Sequence, residues 1–127
     1  MVGWVLSALV ALSLVAIGSV AIVAPRASAA QYGIVVDDPR ADAFVRAMGV
    51  RDLSIGLIFA LLLGAHAREV LAWSMVAVIP IAVTDWVLVA LDRDATRRAC
   101  GLDRARLLHA VGSIALAATA VILHAGA

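Results

Sequence analysis

The sequence predicts an all-α protein: one integral membrane domain over residues 1–127, built as an antiparallel, up-down four-helix bundle. Three observations carry this. The chain has 127 residues, 65% hydrophobic and 15% charged, with a mean hydropathy of +1.06, more apolar surface than a soluble domain of this size could bury. Its apolar residues fall into four long runs. Most charges lie between those runs, and mainly on one side. A net charge of +1 gives no footprint for nucleic acid, and the lone Cys100 excludes an internal disulfide.

The first span runs from Val2 to Ala24. It is uncharged and, at about 1.5 Å per residue, long enough for a hydrocarbon layer of roughly 30 Å. Ala27-Ser28-Ala29 resembles a signal-peptide cleavage site, but no basic segment precedes the run, and the run exceeds the roughly 7–15 residues of a signal core. A retained helix is expected. Pro25 to Arg46 reads as a loop in which Asp38-Pro39 suits a helix start, with Asp as cap and Pro in the first turn. Arg40 to Met48 is then expected as an amphipathic interfacial helix leading into the next span.

The second span, Ala47 to Ala67, and the third, Val70 to Leu91, are joined only around Arg68-Glu69 and should form a tight antiparallel hairpin. Pro80 should kink the third span or loosen its backbone bonding. The fourth span is Leu107 to Ala127. Trp4, Trp73 and Trp86 fall toward span ends, where interfacial anchors belong.

This threading puts both termini on one side, A. The opposite side, B, receives Arg26, Arg40, Arg46, Arg93, Arg97, Arg98, Arg104 and Arg106, against Arg68 alone on side A. The positive-inside rule places side B in the cytoplasm, so the expected location is the inner (plasma) membrane, multi-pass, with both termini outside. All the basic residues are Arg and none is Lys, a bias that fits GC-rich coding rather than function.

Asp85 lies within the otherwise uncharged run Val70 to Leu91, where an ionised carboxylate is expensive unless it pairs or meets water. Arg51-Asp52 opens the second span, and His109 lies early in the fourth. Antiparallel threading brings these residues of three helices to similar depth near side B. Asp52, Gly56, Ala60 and Gly64 share a face of small residues of the kind used for close packing, which turns Asp52 into the bundle. Arg51 sits about 100° round the helix from Asp52, so the neighbours cannot simply pair face to face. A buried Arg needs a carboxylate from elsewhere, and Asp85 is the candidate. The expected arrangement is Asp52 and Asp85 flanking Arg51, with His109 closing the ring. The bland alternative is that Arg51 snorkels to the interface, that Arg51–Asp85 is a packing clamp, and that His109 bonds a carbonyl.

Other candidates are thinner. His66, Glu69 and His124 could meet on side A, but three ligands at a wet rim without Cys make a poor metal site. No axial pair for a haem is evident, since His66 and His109 lie at opposite ends. Cys100 lies among arginines that would favour its thiolate, yet reads as an ordinary loop cysteine. No phosphate loop, nucleophile elbow or zinc signature is present, so neither cofactor nor metal is expected.

Gly49-Val50-Arg51-Asp52 opening the second span, Asp85 late in the third and His109 early in the fourth resemble a domain-of-unknown-function family of small four-span membrane proteins. The likeness covers nearly all of the chain after Ala24. It implies the four-helix fold and these polar positions. Some similar membrane proteins accompany natural-product pathways in which epoxides are opened.

Two classes of function follow. In the first, the catalytic set Asp52, Asp85, Arg51 and His109 acts on a lipophilic small molecule reached from the bilayer, with epoxide opening, by hydrolysis or cyclisation, as the reaction. One carboxylate acts as general base, the other donates a proton to the leaving oxygen, Arg51 orients them, and His109 binds or relays protons. Asp85, the deeper, is assigned as the donor. Soluble epoxide hydrolases with an Asp–Arg–Asp set are an analogy on an unrelated fold. In the second, the protein is a small proton-coupled transporter, although the first span lacks the acid that small multidrug exporters carry there. An accessory membrane subunit is the third reading. The small-residue stripe favours packing within the chain but is compatible with a homodimer.

Overall fold

The computed structural model describes residues 1–31, 38–91 and 102–126, with side chains described throughout except at 89, 90, 102–106, 108 and 109. The described residues are helical almost throughout: α1 (Val2–Val23), α2 (Pro25–Gln31), α3 (Pro39–Gly64), α4 (Arg68–Leu91) and α5 (Leu102–Ala125). Three helices, Val2–Val23, Pro39–Gly64 and Arg68–Leu88, are long and apolar enough to cross a membrane; in α5 the apolar stretch is Ala110–Ala125. The fourth run is therefore the tail of a longer helix that starts at Leu102.

Local chemistry explains the boundaries. Asp38 caps α3, accepting from the Arg40 amide at 2.8 Å, with Pro39 in the first turn. From there α3 runs unbroken to Gly64, so the expected interfacial helix and second span are one element. The segment expected as a loop after Ala24 also contains a short helix, α2, which buries Pro25, Ser28 and Ala29 at the B end. At the other end α3 closes with Ala67 donating to the Leu62 carbonyl and His66 to Leu63, at 3.0 and 3.1 Å. This paired closure puts His66 at φ 52°, in the left-handed region usually given to glycine. Pro80 lies inside α4, which continues through it; the missing N–H leaves the Val76 carbonyl without its normal helical donor.

The helices alternate in direction. Along α1 and α3, Gly18 meets Gly49 and Leu53 while Gly56 meets Ala11 and Val15, so residue numbers run oppositely. On α4 and α5, Arg68 donates to the Leu123 carbonyl, again an antiparallel register. The intimate pairs are α1 with α3 and α4 with α5; α3 and α4, though joined by a three-residue turn, touch much less. The expected tight hairpin is corrected accordingly. Glycine explains the partner choice: a Cβ on Gly18 would lie 2.5 Å from the Gly49 oxygen, and one on Gly56 would lie 2.9 Å from the Ala11 oxygen. Backbones that close leave no room for any side chain. The expected stripe is thus only partly used, because Ala60 and Gly64 are exposed and Gly64 has nothing near it.

The core is lopsided. Ala11, Phe59, Leu71, Ala72, Met75, Leu116, Ala120 and Leu123 form one buried cluster, and those from α3, α4 and α5 lie toward the A end. On α4, no described side chain between Met75 and Leu88 is fully buried. Buried hydroxyls in the packed region are satisfied locally, Ser7 by Gly3 and Thr119 by Ala115, both at 2.7 Å.

The seam predicts a sharp contrast. Gly56→Leu should overpack the α1–α3 interface and destabilise the protein by roughly 1–3 kcal/mol, whereas Gly64→Ala should change stability by no more than about 0.5 kcal/mol. Thermal unfolding in detergent measures both.

Candidate functional site

Arg51 rises from the middle of α3, before that helix reaches the packed core at Phe59, and its guanidinium reaches across to α4. Nη2 lies 2.8 Å from Oδ2 of Asp85, and Nε lies 3.0 Å from Oδ1 of Asp52. The side chains are 33%, 21% and 19% exposed for Arg51, Asp52 and Asp85, so all three are largely withdrawn from the surface.

Asp52 and Asp85 thus flank Arg51 as expected, and the neighbours Arg51 and Asp52 meet without facing each other. Their Cα–Cβ directions do diverge, but the long Arg stem swings the planar fork back past its neighbour. One fork face then serves Asp52 and a terminal nitrogen serves Asp85, which a single ammonium could not do with the same geometry.

His109 lies in the second turn of α5, near the same end of the bundle, but its side chain is outside the described residues. Cys100 and the arginines at 93, 97 and 98 lie outside them as well.

Beside the Arg51–Asp85 contact is an open groove of about 290 Å³, lined by Arg51, Pro80, Ile81, Thr84 and Asp85. The four α4 residues are spaced so that they share one face of the helix. Sequence reasoning missed Pro80, Ile81 and Thr84 as lining residues; their spacing from Asp85 was the available signal. The groove exists because α3 and α4 pack little here, while the turn and core hold them together at the other end.

Several other charges among the described residues have structural roles. Arg46 donates to the Ile22 carbonyl at the end of α1. Arg26 and Asp42 pair at 3.2 Å on the surface between α2 and α3. Arg68 caps α5 through the Leu123 carbonyl, by Nε at 2.7 Å and also by Nη2. At the A end, His66 packs edge-on to Trp4 with ring centroids 5.5 Å apart, and His124 to Trp73 at 4.8 Å. Among the described residues no group of three potential metal ligands gathers; each of the A-end histidines sits against a tryptophan.

Fold and site together define a small all-helical bundle with a charged cluster set between otherwise apolar helices. The chain belongs to the family described as a domain of unknown function, DUF4267, whose model matches residues 11–123. The match takes in part of α1 as well as the later helices. No curated protein and no solved structure matches the chain.

A double-mutant cycle between Arg51→Gln and Asp85→Asn should give a coupling of roughly 1–2 kcal/mol in unfolding, above the 0.2–1 kcal/mol of an exposed pair and below a fully buried one. A coupling near zero would mean that the contact holds nothing together.

Proposed function

We propose that this protein is an integral membrane enzyme that opens epoxides of lipophilic small molecules. The observation that carries the reading is one guanidinium gripping two carboxylates from different helices at the wall of an open groove. Epoxide opening needs a base on one side of the ring and an acid on the other, and neither a metal nor a redox cofactor is required.

In hydrolysis, Asp52 takes a proton from water as the water oxygen bonds to a ring carbon. The carbon–oxygen bond breaks, and Asp85, carrying the proton of the pair, delivers it to the departing oxygen. In cyclisation a hydroxyl of the substrate replaces the water. One proton enters and one leaves the pair, so the site regenerates after proton transfer between the carboxyl groups. Arg51 holds both carboxylates in place, and His109, on the helix that completes this end of the bundle, binds substrate or relays the proton.

In this reading the helices cross the inner (plasma) membrane with the B end in the cytoplasm and both termini outside. Arg26, Arg40 and Arg46 at the B end support that orientation. Trp73, 61% exposed, and Trp86, 40% exposed, suit opposite interfaces.

Purified protein in detergent should convert a hydrophobic epoxide to its diol or cyclic ether. Asp52→Asn and Asp85→Asn should each lower kcat by roughly 10²–10⁴ while thermal unfolding still shows a folded bundle. Proton movement in liposomes that depends on a substrate left chemically unchanged would instead establish a transporter. A bundle that merely melts when Asp85 is changed would leave a structural subunit.

A further inference from the structure

The groove contains one uncharged polar side chain, Thr84, next in sequence to Asp85 and exposed. Ser7, Ser54 and Thr119 each donate to the carbonyl four residues back at 2.7 Å, the usual resting place of a hydroxyl within an apolar helix. Among the described residues no such partner is seen for the Thr84 hydroxyl. It stands in the groove with both donor and acceptor capacity available.

The groove's volume is about 290 Å³, less than the roughly 300–1,000 Å³ of sites that enclose a whole small molecule. It is open rather than closed over, so it suits one end of a larger molecule. From Thr84 toward the A end, Pro80, Ala77 and Trp73 are all exposed along α4. That apolar track is about 16 Å long from Thr84 to Trp73.

We infer that Thr84 is a substrate-binding residue, and that the groove takes the oxygenated end of a long-chain apolar molecule. Resting on the catalytic reading of Arg51, Asp52 and Asp85, this deepens it by naming the substrate class: a chain whose reactive oxygen lies at or near one end. Thr84 hydrogen-bonds an oxygen beside the reacting carbon. Ile81 forms the apolar wall, and the hydrocarbon lies along Pro80 and Ala77, in contact with lipid.

The test uses the full chain in lipid nanodiscs, with a vicinal decanediol as binding probe and the matching terminal epoxide as substrate. Thr84→Val, which keeps the shape and removes the hydroxyl, should weaken diol binding about fivefold, the size of one hydrogen bond. Thr84→Ser should stay within about twofold of the wild type, and Ile81→Trp, which fills the groove, should weaken binding at least about tenfold. With the epoxide, Thr84→Val should raise KM more than it lowers kcat. Equal losses in Thr84→Val and Thr84→Ser, an unaffected Thr84→Val, or an unaffected Ile81→Trp would each overturn the assignment. The diol pattern without epoxide turnover upholds the binding site and defeats the enzyme reading. Turnover that is indifferent to Thr84→Val does the reverse.

Discussion

At the B end one guanidinium joins the two halves of this molecule. The backbones of α1 and α3 are locked by glycine contact, and α4 is held against α5 through packing and the Arg68 cap. Between the pairs the A end is closed by Phe59, Leu71, Met75 and their neighbours. At the other end the described helices approach without a comparable core, and Arg51 spans the gap to Asp85. The same weak packing that makes the ionic contact necessary also leaves room beside it. Groove and charge cluster are consequences of one asymmetry.

The energetics of such a contact depend on its surroundings. An Arg in an apolar helix cannot shed its charge, so its carboxylate partners lower the cost of keeping it there. With side chains about a fifth to a third exposed, the cluster is neither a solvated surface pair nor a sealed interior one. It is accessible to a ligand and still largely shielded from water, the condition in which fixed charges act strongly on a bound molecule.

Much of the architecture was legible in the sequence, for identifiable reasons. Long apolar runs announce helices directly, and the Asp38-Pro39 pair marks a helix start by its own chemistry. The meeting of Arg51 with Asp85 followed from antiparallel threading alone, since it needs only depth. What failed was reasoning about faces. The four-residue stripe through Gly56 pointed to Ala60 and Gly64, whereas the seam sets Gly49 against Gly18 and Gly56, seven residues on, against Ala11 and Val15. Helix partners depend on which backbones can approach, and small residues on one helix reveal this only together with those on another. Asp52 and Asp85 were expected to flank Arg51 and do, although Cβ directions say little about where so long and flexible a side chain ends. Thr84 was missed although its place beside Asp85 on the same helix was a signal in plain view.

The turn at Ala65–Ala67 has a mechanical consequence. Its two closing hydrogen bonds and the His66–Trp4 ring contact pin one end of α4, which makes the helix a lever with a fixed fulcrum. Asp85 lies about 27 Å along that lever. A swing of about 5° would carry its carboxylate by roughly 2 Å, enough to release the Arg51 fork, and would shift Met75, about 12 Å along, by roughly half as much. The latch at the far end thus feels any tilt of the helix about twice as strongly as the core near its pivot does.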